Sequence, residues 1–215
     1  MVSLSNLPEP ARDCPLCPRL VAYRQLNARQ EPNWYNGPAP SFGDMNAWLL
    51  IVGLAPGRTG ANRTGRPFTG DWAGDLLYAT LDKVGLSTGT YAARADDGLA
   101  LQGVMITNAV RCAPPLNKPE TSKIATCAPF LKAQIAAMPH LTTLICLGKI
   151  SHDATIRTLG GKLSAHPFAH NTQHALGDYA VYDSYHCSRY NTNTGRLTAA
   201  MFEAVFEAAV SGPKS

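Results

Sequence analysis

The run from Trp48 to Asp71, WLLIVGLAPGRTGANRTGRPFTGD, constrains this chain more than any other. Leu49, Leu50, Ile51 and Val52 are consecutive apolar residues closed by Gly53, the pattern of a strand buried on both faces in a parallel sheet covered by helices. The loop that follows leaves the strand at its carboxyl end. Open α/β sheets bind ligands at that edge, because backbone N–H groups and helix N-termini converge there. Its glycines allow close backbone approach, Arg58, Arg63 and Arg66 add charge-assisted donors, and no acid occurs between Gly53 and Gly70. The loop reads as a seat for an anion. It lacks the Gly-Lys-Ser/Thr of a P-loop and the GxGxxG of a dinucleotide fold, which disfavours a nucleotide cofactor.

The remaining pattern alternates helices with strands. Apolar spacing predicts helices over 15–26, 71–84, about 121–138, 150–159 and 196–210, and strands over 103–107, 141–147 and 179–185 besides the first. Asp71 is placed to cap the second helix, and Thr121 or Ser122 the third, which Pro129 would kink or delay. This order implies a three-layer α/β/α sandwich with a central, mostly parallel four-stranded sheet. A chain of 215 residues suits one domain, 1–215, with residues 1–13 and 211–215 as loose termini. No apolar run approaches a membrane span and no signal peptide is visible, so the cytoplasm is the expected compartment and a monomer the expected state.

The net charge is only +4, but its arrangement is informative. The stretches Gly98–Pro119 and Ser184–Arg196 also lack acids, so three basic loops could converge into a surface suited to phosphates. Six cysteines in such a chain suggest metal or redox chemistry more than disulfides. Cys14 and Cys17 form a Cys-x-x-Cys, with Cys112 and Cys127 downstream. Four thiolates so arranged can hold a [4Fe-4S] cluster or a zinc ion, and spacing alone does not choose. Cys146 and Cys187 read as packed core thiols. His166, His170 and His174 read as ordinary exposed histidines, since Pro167 opposes a helix that would align them.

Together the loop GLAPGRTGANRTGRPFTGD, the segment ITNAVRCAPPLNKP and the late motif SYHCSRYNTNTGRLT resemble the uracil-DNA glycosylase superfamily, and specifically its family 5, or type B, enzymes. The resemblance runs in order from Cys14 to about Leu197. It implies the α/β/α sandwich, excision of uracil from single- or double-stranded DNA, and a structural [4Fe-4S] cluster on Cys14, Cys17, Cys112 and Cys127.

The residue types suit that chemistry. A glycosylase must extrude its base, stack it and read its polar edge. Phe68 offers the stacking face, Asn108 an amide for the uracil edge, and Gly53 a close backbone contact. His186 is placed to donate to a uracil oxygen as charge develops on the departing base. Family members elsewhere carry an acid or amide where this chain has Ala55-Pro56-Gly57. Asp71 resembles the type B substitute that would orient or deprotonate water. Ser188, Arg189 and Tyr190 resemble the loop that enters the helix, with Arg189 or Tyr190 as the wedge. Arg63 and Arg66, with Arg111 and Arg196, go to phosphates or to structural salt bridges, undivided by sequence. Removal of hypoxanthine, a non-catalytic DNA-binding module and a zinc-stabilised nucleotide-processing domain are the competing expectations.

Overall fold

A computed structural model describes residues 8–212. The first half runs α1 (Pro18–Gln30), β1 (Phe42–Gly43), β2 (Leu49–Gly53), α2 (Ala61–Thr64), α3 (Trp72–Lys83), β3 (Ser87–Thr88), β4 (Ala100–Leu101) and β5 (Val104–Asn108). The second runs α4 (Thr121–Ala137), β6 (Thr143–Leu147), α5 (Lys149–Thr158), β7 (Gln173–Leu176), β8 (Tyr179–Ser184), α6 (Arg189–Asn193) and α7 (Ala199–Ser211).

Every residue of β2, β5 and β6 is buried, as the apolar residues that dominate them require. β2 pairs in parallel with β5 on one side and β6 on the other, and β6 pairs in parallel with β8. These are the four expected strands, but the sheet has six, in the order β1-β5-β2-β6-β8-β7. The extra pair, β1 on β5 and β7 on β8, are antiparallel edges. β1 is two residues long and follows Pro38 and Pro40. β7 alternates exposed and buried residues, but polar His174 takes an inward position and hides the period.

Helices cover both faces. Leu77, Tyr78 and Leu81 of α3 and Phe202, Val205 and Phe206 of α7 pack on one. Leu131 and Ile135 of α4 with Ala154 and Ile156 of α5 pack on the other. The i, i+3, i+4 spacing of these residues makes the apolar stripes. β2 therefore feeds a helix on one face while its neighbours β5 and β6 feed helices on the opposite face. The crevice opened by that divergence lies beyond the carboxyl end of β2. In α4 the N-cap is Glu120, not Thr121 or Ser122, and the helix continues through Pro129.

Of the termini expected to be loose, residues 1–7 and 213–215 lie outside the described residues. Glu9 is tied down: the buried Arg111 donates to it through Nη1 at 2.9 Å, and Ser211 ends α7. The expectation of exposed histidines is corrected. His174 is buried, and Asp183 takes hydrogen bonds from both His152 (Nδ1–Oδ1 2.7 Å) and His174 (Nε2–Oδ2 2.9 Å). His170, half-buried, stacks on Tyr185 at 4.8 Å and accepts its backbone N–H at Nδ1 (3.1 Å). Burial lowers the His170 pKa, which keeps that acceptor free. These contacts pin the chain just before His186.

Candidate active site

Gly53 and Asn108 are Cα partners at the carboxyl ends of β2 and β5. Loops after β2, β5 and β8 close there around a cavity of about 340 Å³ lined by Gly57, Phe68, Asp71, Asn108, His186 and Ser188. All five residues assigned from sequence to catalysis and base contact meet at this edge.

Gly53 is glycine for steric reasons. A Cβ there would lie 2.5 Å from Asn108 Oδ1 and 2.6 Å from Phe68 Cζ. Asn108 is buried, and its Oδ1 has no hydrogen-bond partner among the described residues. A buried, unpaired amide oxygen costs about 1–3 kcal/mol, which a ligand N–H recovers. Phe68 sits at φ +52, a left-handed backbone unusual for an aromatic residue. Its neighbours enforce that strain: Tyr78 donates to Pro67 O at 2.7 Å, and α3 packs so closely that a Cβ on Gly74 would lie 1.8 Å from Phe68 O.

Asp71 is the N-cap of α3, as its position predicts: Oδ1 accepts from Gly74 N at 3.1 Å. Oδ2 faces the loop, where a Cβ on Gly60 would lie 2.3 Å from it and one on Gly57 3.0 Å. Burial raises the Asp71 pKa above the usual carboxylate range, partly offset by the Gly74 hydrogen bond. A carboxylate so placed is a stronger base than one in water. The His186 pKa is lowered by burial, so the imidazole is neutral and keeps an N–H to donate. Its ring lies 6.2 Å from that of Phe68, and Asn191 Nδ2 holds its carbonyl at 2.8 Å. Gly148, at φ +97, lets the end of β6 pass His186; a Cβ there would lie 3.2 Å from the His186 Cβ.

Ser188 caps the short α6, accepting from Asn191 N. Arg189 lies over Trp72 (5.2 Å) and Tyr190 is 73% exposed. Arg63 is exposed, yet bridges the loop's two ends through Thr59 O and Gly70 O. Arg66 is not on the surface, which corrects its assignment to DNA. It is 4% exposed and forks both guanidinium arms onto Asp97 at 2.7 Å each. No donor edge is left for a phosphate. Arg111 is likewise structural, meeting Glu9, Ser41 and Gln134. Arg58 is drawn to Asn27 and Trp34 instead of the cavity. Arg196 lies over the Tyr185 ring at 4.6 Å.

Cys14, Cys17, Cys112 and Cys127 converge on a second place, walled by Leu20, Val110 and Phe130 beside α1 and α4. Arg24 Nη1 donates to Cys112 Sγ at 3.6 Å and the Arg111 backbone N–H to Cys127 Sγ at 3.4 Å. Cys146 and Cys187 are fully buried in the cores, as expected. Asn117, which also lines the cavity, was missed by sequence reasoning; its only signal was a place after the Pro114-Pro115 break. Among the described residues no helix is long and apolar enough to cross a membrane.

The chain is similar to known proteins over most of its length. Residues 40–210 match the family model described as the Uracil DNA glycosylase superfamily. The chain is 46% identical over 203 residues to a type-5 uracil-DNA glycosylase of Thermus thermophilus, covering 91% of this chain and 92% of the relative. It is 37% identical to the type-5 uracil-DNA glycosylase of Pyrobaculum aerophilum, over 93% of this chain and 88% of the relative. A type-4 uracil-DNA glycosylase of the same organism is 34% identical over 160 residues, 74% of this chain and 67% of the relative. With a matched family region spanning most of its length, the chain belongs to the uracil DNA glycosylase superfamily.

Proposed function

We propose that this protein is a monofunctional uracil-DNA glycosylase, hydrolysing the N-glycosidic bond of uracil flipped out of DNA and leaving an abasic site. The observation that carries the reading is the unpaired Asn108 Oδ1 beside Phe68, Asp71 and His186 in one cavity. Uracil stacks on Phe68, and Asn108 Oδ1 accepts its N3–H. Neutral His186 donates to a uracil carbonyl, stabilising the anion that forms as the bond breaks; such a donor is worth roughly 10²–10³ in rate. Asp71 Oδ2 orients or deprotonates the water that attacks the sugar. Arg63, Ser188, Arg189 and Tyr190 meet the DNA backbone and stack. Residues 1–215 form one domain that acts as a monomer in the cytoplasm.

Cys14, Cys17, Cys112 and Cys127 would hold a [4Fe-4S] cluster, which supplies structural cross-linking and no step of the reaction. The donors from Arg24 and Arg111 suit an anionic thiolate cage. Zinc at about 2.3 Å from each sulfur would hold the sulfurs roughly 3.8 Å apart. A [4Fe-4S] cube needs a wider cage of sulfurs, and the iron and zinc content of the pure protein separates the two.

The test is base release from matched single-stranded and duplex oligonucleotides containing uracil or hypoxanthine, read as alkali-sensitive breaks. Breaks at uracil support the reading. DNA binding without any break would overturn it in favour of a non-catalytic module.

A further inference from the structure

Between β5 and α4 the chain passes the cavity mouth as Pro114-Pro115-Leu116-Asn117-Lys118-Pro119, with Asn117 lining the cavity. Leu116 is anomalous in this turn on two independent counts. It is 88% exposed, so its side chain gains nothing from burial. It also stands at φ +56 and is followed by Asn117 at φ +55, a left-handed pair. That backbone penalises a residue with a branched, bulky side chain, whereas glycine or asparagine takes it readily. The turn itself does not call for leucine. Its hydrogen bonds, Asn117 N–H to Pro114 O and Lys118 N–H to Pro115 O at 3.2 Å each, use only backbone. Prolines on both sides stiffen the stem.

Exposure and strain without structural return point to a ligand. The cavity is lined by Ser188 from one loop and Asn117 from another. Two residues beyond Ser188 stands Tyr190, and just before Asn117 stands Leu116, both exposed. A flipped base leaves a gap between apolar base faces, and an apolar side chain on a rigid turn fills such a gap. Lys118, in a stretch from Gly98 to Pro119 free of acids, is beside it to meet a phosphate. We propose that Leu116 is a second wedge, entering the stack from a loop other than that of Tyr190 and stabilising the extruded uracil. This rests on the uracil excision proposed above.

The experiment compares kcat/KM on a uracil-containing duplex with kcat/KM on the same strand alone, for the parent protein and for Leu116→Gly, Leu116→Asn and Leu116→Met. A wedge matters only where a stack must be held open. Gly and Asn, which suit the backbone but are not apolar wedges, should lower the duplex-to-single-strand ratio about tenfold or more. Met, apolar and of similar size, should preserve it. Met should keep the parent's melting temperature closely, and Gly and Asn, which relieve the left-handed strain, should melt at or above it. A duplex-to-single-strand ratio unmoved by Gly and Asn, or losses equal on both substrates, would overturn the wedge while leaving uracil excision intact. A parent protein that releases no uracil from either substrate removes the functional reading, and this inference with it.

Discussion

Asp71 serves two purposes at once, and two substitutions separate them. Its Oδ1 caps α3 through Gly74 N, while Oδ2 faces the cavity loop. Asparagine caps a helix about as well as aspartate, so Asp71→Asn keeps the cap and removes the basic carboxylate; Asp71→Ala removes both. Loss of the cap costs about 1 kcal/mol. In a domain of this size that lowers the melting temperature by about 2–4 °C. Because burial raises the Asp71 pKa, the fold favours its protonated form, and this contribution is lost as pH rises through the folded pKa. At neutral pH the ionised group therefore burdens the fold. Asp71→Asn sheds the charge and should melt at or above the parent. If Oδ2 activates water, both variants lose about 10²–10⁴ in single-turnover rate, about 3–5 kcal/mol of barrier. DNA affinity, measured by anisotropy, should change little. The parent's rate should also fall on the acid side as Asp71 protonates above the usual carboxylate range near 3.9, a limb absent from Asp71→Asn. Asp71→Asn with the parent's turnover would reduce Asp71 to a cap and refute the argument.

Gly53→Ala would push a methyl to 2.5 Å from Asn108 Oδ1 and 2.6 Å from Phe68 Cζ; kcat/KM for uracil should drop by about 10², and an unchanged value would disprove their role in reading the base. Asp97→Ala should lose about 3–5 kcal/mol in urea melts because it strands the buried Arg66 charge. Arg66 holds the Asp97 pKa well below the carboxylate range, so this pair's stability is complete above the ordinary pKa and is lost as pH falls through the folded one. Cys14→Ala or Cys112→Ala should yield protein with little iron and little brown absorbance; full iron in both would overturn the cluster assignment.

What the sequence determined by itself is the part written in local chemistry. Apolar runs specified β2, β5 and β6, since a strand buried on both faces has no polar register to obscure it, and alternation specified β8. Asp71 before an apolar period marked a cap, and Gly53, Phe68, Asn108 and His186 were legible because they stand at or past strand ends inside motifs that resemble those of the family. The tertiary structure decided what depends on partners remote in the chain. Arg66 looked like a phosphate donor until Asp97, from a different loop, occupied both its arms. His174 looked exposed until Asp183 drew it inward, and β7 was hidden by the same inward polar residue. Leu116 carried no signal at all, because a left-handed φ and an open face exist only in the folded turn. A charge or a polar ring is read correctly from sequence only when its counter-charge lies nearby in the chain; when burial supplies the partner from afar, desolvation and geometry in the fold decide its role.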